Sequence, residues 1–338
     1  MKDEIRLDLA ELKQSPPKAV QEAIKEAASD LNRYPSGEYE DLKKEFSNYL
    51  DVEEDQVVFS NGLDEMIDIV ADIWGGKNFV PIPTFSQFVE ASERRNKEVI
   101  EVSMMDEGEY RIKLDKMDFS SDIIWLCSPN NPTGTIIPRE KIRSICKKSS
   151  GIVVLDECYA EFGNVSAIKL LRDFENLIIL RSFSKSFGLA GLRLGAAVST
   201  KENIQRIEEF RQPFNVNRVA AEAGKTALRN REKYRRMREK VISSGERFKD
   251  FLESREIKTG EVNSNFLLVE FSDEEEAKKY FEGLQKLNVS VFPGWNEEFS
   301  GLDGRFLRFT IGTEKQMKEV ENRFKILDQN PSIRGNQK

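Results

Sequence analysis

The chain has 338 residues, 52 Lys plus Arg against 59 Asp plus Glu, a formal charge of −7, and no histidine. Without an imidazole there is no Ser-His-Asp triad, no Cys-His pair and no His-ligated zinc or haem, so acid–base work falls to Lys, Asp, Glu, Tyr or Cys. The acidic balance disfavours a general nucleic-acid binder, and the length fits about two domains, or one large unit with a smaller partner.

The start of the chain, residues 1–12, is charged throughout and holds no apolar signal stretch. Residues 19–31 read as a helix introduced by Pro16-Pro17, and residues 39–50 as a second, with Leu42, Phe46 and Leu50 on one face. Residues 57–60 form a short strand, Asn61-Gly62 a turn, and residues 64–74 a helix. Apolar strands then alternate with helices. Residues 78–81, 98–102, 123–127, 152–156, 177–181 and 195–199 suit strands buried on both faces, with helices at 85–95, 139–148 and 202–210. Such alternation predicts an α/β fold with a mainly parallel sheet.

Residues 218–253 read as one or two long charged helices, and the basic run Arg229 to Arg238 as a solvated face. The style then shifts to α+β: strands at 266–271, 289–292 and 305–311, helices at 273–287 and 314–327, and a polar tail from Asp328. We expect a large α/β domain at 31–232 and a smaller α+β domain built from 1–30 and 233–338. Cys127, Cys146 and Cys158 lie 19 and 12 positions apart, so they form no CxxC pair, and no metal site is expected. Sparse cysteines fit a reducing cytoplasm, and no window approaches the ~20 apolar residues of a membrane span.

Four separated pieces carry the chemistry: Ser128 to Gly134 (SPNNPTG), Asp156 to Tyr159 (DECY), Ser182 to Gly188 (SFSKSFG), and Arg193. Singly each has a bland reading, as a turn, a helix cap or a surface pair. Each also follows a predicted buried strand, where parallel sheets place ligand groups. Together they describe a pocket for a phosphorylated electrophile held by a lysine. Lys185, desolvated among small hydroxyl residues, suits Schiff-base chemistry. Ser182, Ser184 and Arg193 offer donors to a phosphate, and the Gly62-Leu63-Asp64 turn adds backbone N–H groups at a helix N-terminus. Asp156 suits a protonated pyridine nitrogen, and Tyr159 and Asn131 a phenolic oxygen. That set is what pyridoxal 5'-phosphate requires.

With these residues in view, the sequence resembles fold-type I pyridoxal-phosphate enzymes, and among them the histidinol-phosphate aminotransferases. The likeness runs through Arg33-Tyr34-Pro35, residues 60–65, Pro83-Thr84-Phe85, residues 128–134, 156–159, 181–195 (RSFSKSFGLAGLRLG), 213–217 and 306–313. The resemblance implies that Lys185 carries the cofactor and that Asp156 pairs with its ring nitrogen. It implies that Asn131 and Tyr159 contact the ring oxygen, and that Ser182, Ser184 and Arg193 bind the phosphate. It makes Phe85 the ring-stacking residue, with Phe88 as fallback, and Arg308 the clamp for a substrate α-carboxylate. It further implies that Tyr34 reaches the phosphate of a neighbouring subunit, hence a homodimer with shared active sites, a small-molecule amino donor and a 2-oxo acid acceptor. Asn131-Pro132 is expected to be cis. Two stretches depart from the pattern. Residues 10–16 lack the Asn-Glu-Asn-Pro-Tyr-Gly-like segment, and Phe292-Pro293-Gly294-Trp295 stands where many relatives have an arginine. A wall of Phe292, Trp295 and Phe299 suits an aromatic amino acid as well as a phosphorylated one. A decarboxylase of the same fold, like the threonine-phosphate decarboxylases, shares much of the pattern.

Overall fold

A computed structural model describes residues 4–35, 39–296, 299 and 301–329. The end of the polar tail, residues 330–338, lies outside them. In chain order the strands are β1 (Ile5–Leu7), β2 (Val57–Ser60), β3 (Lys77–Ile82), β4 (Glu98–Ser103), β5 (Met105–Asp106), β6 (Glu109–Tyr110), β7 (Ile123–Cys127), β8 (Ile152–Asp156), β9 (Leu177–Ser182), β10 (Gly195–Val198), β11 (Lys258–Thr259), β12 (Phe266–Glu270), β13 (Val289–Pro293) and β14 (Phe306–Thr310).

Seven of them form one sheet in the order β2-β10-β9-β8-β7-β3-β4. The pairs from β9 through β8, β7 and β3 to β4 are parallel, whereas β10 is antiparallel to both of its neighbours. Alternate residues feed opposite faces, as the two-residue period of a strand requires. Trp125, Val154, Ile178 and Leu180 join one core, and Ile124, Leu126, Val153 and Ile179 the other. Each fully buried aliphatic side chain contributes about 1.5–3 kcal/mol, so this doubly covered sheet is the stable platform of the molecule. The strand at 98–102, expected to be buried on both faces, is instead the sheet edge, with Glu98, Glu101 and Ser103 exposed. Charges on an edge strand discourage further pairing, which explains glutamates that the apolar pattern passed over.

The second sheet runs β1-β13-β14-β12-β11, and β1 joins it in parallel, Ile5 opposite Val289. Its helix-covered face, with Phe248, Phe309 and Phe324, belongs to the same hydrophobic core as one face of the large sheet. The segment 218–253 is two helices, Arg218–Arg229 and Arg231–Glu253. The helix Lys18–Ala27, grouped from the sequence with the C-terminal third, packs on Arg218–Arg229 instead, and its Val20 enters the core with Tyr39, Leu42, Ala220 and Ala223. Small residues on the 218–229 helix let the first helix approach closely, a tertiary preference that local periodicity does not report. The strand before it, β1, is what pairs with the smaller sheet. Among the described residues no helix is long and apolar enough to cross a membrane.

Gly195 opens β10 against backbone. A Cβ there would stand 2.8 Å from the Gly62 carbonyl carbon and 2.9 Å from Ser60 Oγ. Gly195→Val is predicted to lower stability by about 1–3 kcal/mol through overpacking, read as a lower urea midpoint at unchanged slope.

Candidate active site

The residues singled out converge on one rim of the large sheet, at the C-terminal ends of β2, β7, β8 and β9. Asp156 is the last residue of β8, opposite Leu180, and Ser128 N donates to its carbonyl at 2.9 Å. Arg193 arrives by a different route from the others. It precedes its strand, and because β10 runs backwards, Gly195 pairs with both Ser60 and Ser182. The reversal delivers Arg193 to the rim that the other loops reach from strand ends. The sequence reading placed it after a strand, since strand direction is not encoded locally.

Gly62 has φ +80° and caps the helix Leu63–Trp74. A Cβ at Gly62 would lie 2.4 Å from Arg193 Nη2, so the guanidinium rests directly on bare backbone. Only glycine allows both that backbone angle and that approach. Arg193 Nη2 donates to Asp64 Oδ2 at 2.9 Å, with both side chains half exposed. Ser184 N donates to Ser182 Oγ at 3.1 Å, and both serines are buried. A helix N-terminus, a guanidinium and two hydroxyls thus lie on one rim, the kinds of group that suit an anion.

Lys185 follows in the same loop, with Nζ 5.9 Å from the ring centre of buried Tyr159. Burial, reinforced by Arg308, holds its amine below the ordinary lysine value, against the opposing pull of Cys158, Asp156 and Glu11. Asp156 is buried and accepts from Cys158 N at 2.8 Å. Burial raises its pKa, which Cys158 and Lys185 partly offset. Phe85 is partly buried at the site edge and meets Phe88 edge-on at 5.9 Å. Phe88 cannot serve as its fallback: it is fully buried and stacked on Trp125 at 5.1 Å.

The smaller sheet contributes Arg308, buried on β14. Its Nη1 donates to Asn131 Oδ1 at 2.7 Å and its Nη2 to the Asp8 carbonyl at 2.8 Å. Three rings surround it, Phe299 at 4.8 Å, Phe292 at 4.9 Å and Phe266 at 5.2 Å. The expected wall is therefore partly revised. Phe292 and Phe299 pack together at 4.7 Å, but Trp295 turns to Phe281 and Lys278 on the helix Glu274–Lys286, and Phe266 takes the third position. The register explains Phe266, since β12 and β14 pair so that Phe266, Arg308 and Thr310 share one face. Asn131-Pro132 is cis, as expected, and so are Ile82-Pro83 and Ser128-Pro129.

Neighbouring residues, most of them within the stretches already singled out, complete the site. Asn130 accepts from Thr84 Oγ1 at 3.0 Å and donates to Pro83 O and Thr133 Oγ1, both at 2.9 Å. It thereby fixes the loop bearing Phe85 to the loop bearing Asn131. Behind Lys185, Ser186 donates to Glu161 Oε2 at 2.7 Å, and Arg181 bridges Glu161 at 3.0 Å and Glu157 at 3.3 Å. Tyr34 stands apart from this cluster. It is 78% exposed, stacks on Phe214 at 4.9 Å, and holds Arg218 through its carbonyl.

The depressed lysine has a consequence for stability. Between its lowered pKa and the ordinary 10.5, the folded chain binds fewer protons at Lys185 than the unfolded chain does. The lysine therefore penalises folding most below its folded pKa, and the penalty fades as pH rises toward 10.5. Lys185→Met is predicted to raise the urea midpoint of the cofactor-free chain at neutral pH, the gain shrinking by pH about 10.

The chain matches the family aminotransferase class I and II over residues 2–324. It is 31% identical to a histidinol-phosphate aminotransferase of Bacillus pumilus strain SAFR-032, over 88% of this chain and 83% of that one. It is 33% identical to histidinol-phosphate aminotransferase 2 of Archaeoglobus fulgidus, over 92% and 89%. Its fold superposes on the histidinol-phosphate aminotransferase of Clostridium acetobutylicum with a TM-score of 0.88, at 24% identity, covering 96% of this chain and 99% of the other. Match and architecture agree over nearly the whole length: the chain belongs to the aminotransferase class I and II family and is a pyridoxal-phosphate-dependent aminotransferase.

Proposed function

We propose that this enzyme moves an amino group from an amino acid or histidinol phosphate to a 2-oxo acid, most like a histidinol-phosphate aminotransferase, with Lys185 as the covalent anchor of its cofactor. The observation that carries the reading is the Arg308–Asn131 hydrogen bond of 2.7 Å, which ties a buried guanidinium to the loop beside Asp156 and Lys185. A carboxylate clamp next to a desolvated lysine is what an α-amino acid needs.

The residues suit the cofactor. Gly62, Leu63, Asp64, Ser182, Ser184 and Arg193 would take its phosphate, and the bare Gly62 backbone lets the Arg193 guanidinium lie where a side chain would displace it. Asp156, a buried carboxylate at the strand end, would hold a proton on the pyridine nitrogen, and Asn131 and Tyr159 would face the ring oxygen. Phe85 would cover the ring face. The bound cofactor supplies an electron sink for the pair left at the substrate Cα. The protein does the rest. Arg308 fixes the substrate carboxylate and so orients the Cα–H bond. The low-pKa amine of Lys185 accepts the Cα proton and returns it. The phenylalanine wall keeps water from the reacting atoms. We also propose that the enzyme works in the cytoplasm as a homodimer. Tyr34, whose exposed ring is held by Phe214, would reach the cofactor phosphate of the partner subunit.

Lys185→Ala is predicted to abolish turnover and the visible absorbance of the bound cofactor; retention of both would overturn the assignment. Asp156→Ala is predicted to lower kcat at least about a hundredfold with the fold preserved by circular dichroism. A spectrophotometric screen of histidinol phosphate, Phe, Tyr, Asp and phosphothreonine, with and without 2-oxoglutarate, tests the reaction itself. Carbon dioxide release without a keto acid would favour a decarboxylase.

A further inference from the structure

Residues 8–17 link β1 on the smaller sheet to the helix Lys18–Ala27 on the larger, and on the way they border the active site. The Asp8 carbonyl accepts from Arg308 at 2.8 Å. Leu12 lies against the lysine loop, its Cδ2 3.1 Å from where a Gly188 Cβ would be. The Glu11 carboxylate acts through space on the Lys185 amine. Lys13 Nζ lies 3.1 Å from Glu11 Oε2, and its side chain is only 12% exposed against 45% for Glu11. Beside it, Gln14 Oε1 is buried with no hydrogen-bond partner. This strap therefore presents a sheltered ammonium whose ion partner is a half-exposed carboxylate.

Arg308 is already committed. Asn131, the Asp8 carbonyl and three rings fix its orientation, and a substrate α-carboxylate exhausts what remains of its fork. A substrate with a second anionic group, such as a dicarboxylic acid, needs another cation to replace the water stripped from that group. The walls of Phe292 and Phe299 offer none.

We propose that Lys13 receives the distal anionic group of an acidic substrate, a carboxylate or a phosphate, and that Glu11 is the internal anion which that group displaces. The proposal rests on the reading of Arg308 as the α-carboxylate clamp. Glu11 rehydrates readily on leaving because it is half exposed, whereas Lys13 stays sheltered and exchanges one anion for another. A substrate without a distal anion leaves the Glu11–Lys13 pair closed as a neutral wall. One pocket then serves an acidic and an uncharged side chain in turn, which a reaction with two different substrates in the same site demands.

The test uses the cofactor-loaded enzyme with unreactive acids: glutarate, pentanoate, which has the same carbon chain and one carboxylate, and 4-phosphonobutyrate. Binding is followed by calorimetry and by the change in cofactor absorbance. Glutarate is expected to bind about tenfold tighter than pentanoate. Lys13→Met should bring that ratio to about one with pentanoate affinity unchanged, Lys13→Arg should retain it, and Glu11→Gln should raise it. A Lys13-dependent preference for 4-phosphonobutyrate over glutarate supports the same site with phosphate as its natural group. A ratio near one in the wild type, or one that survives in Lys13→Met, overturns the assignment of Lys13 alone. Failure of the wild type to bind even pentanoate overturns the Arg308 reading and this proposal with it.

Discussion

A guanidinium buried among aromatic rings is costly unless every direction it points in is answered. Arg308 sits between Phe266, Phe292 and Phe299, and its acceptors come from Asn131 on the large sheet's rim and from the carbonyl of Asp8. That requirement joins three stretches of chain remote in sequence. It brings the smaller sheet against the loops of the candidate site, holds the N-terminal strap in place, and puts a fixed positive charge near Lys185. The same charge adds to burial in lowering the pKa of the Lys185 amine. On the proposed reading, one electrostatic arrangement serves both substrate binding and proton transfer.

The large sheet performs the complementary task. Parallel strands deliver Asp156 and the lysine loop to one rim, as such sheets do for ligands generally. The antiparallel strand β10 adds Arg193 from the opposite chain direction. Gly62 and Gly195 make that meeting possible, because at each a side chain would collide with the neighbouring segment. Beneath the lysine, Glu157 and Glu161 share Arg181, and Glu161 anchors Ser186, so the Lys185 loop stands on a buried polar network.

Much of this was legible in the sequence. All seven strands of the large sheet, the helices between them and three strands of the smaller sheet follow from apolar periodicity and turn residues. The chemistry-bearing pieces were legible because each is a dense local cluster of unusual residue types. What escaped shares a physical cause, which is dependence on partners distant in the chain. A three-residue strand such as Ile5–Leu7 has no period of its own and exists by pairing with Val289 to Val291. The direction of β10, the edge position of β4 and the outward turn of Trp295 are likewise decided by neighbours. Phe266 joined the site through cross-strand register, and Phe88 left it because Trp125 had already claimed its ring.

The strap at residues 8–17 joins the two sheets covalently and borders the candidate site. Its ends are fastened, one by β1 on β13 and the other by the first helix on Arg218–Arg229. The chain crosses again through the helix Arg231–Glu253, so the two sheets are linked by one helix and by this irregular strap. Under the role proposed for Lys13, the segment that meets the substrate is also an irregular link between the two sheets, so occupancy and relative sheet position would be geared together.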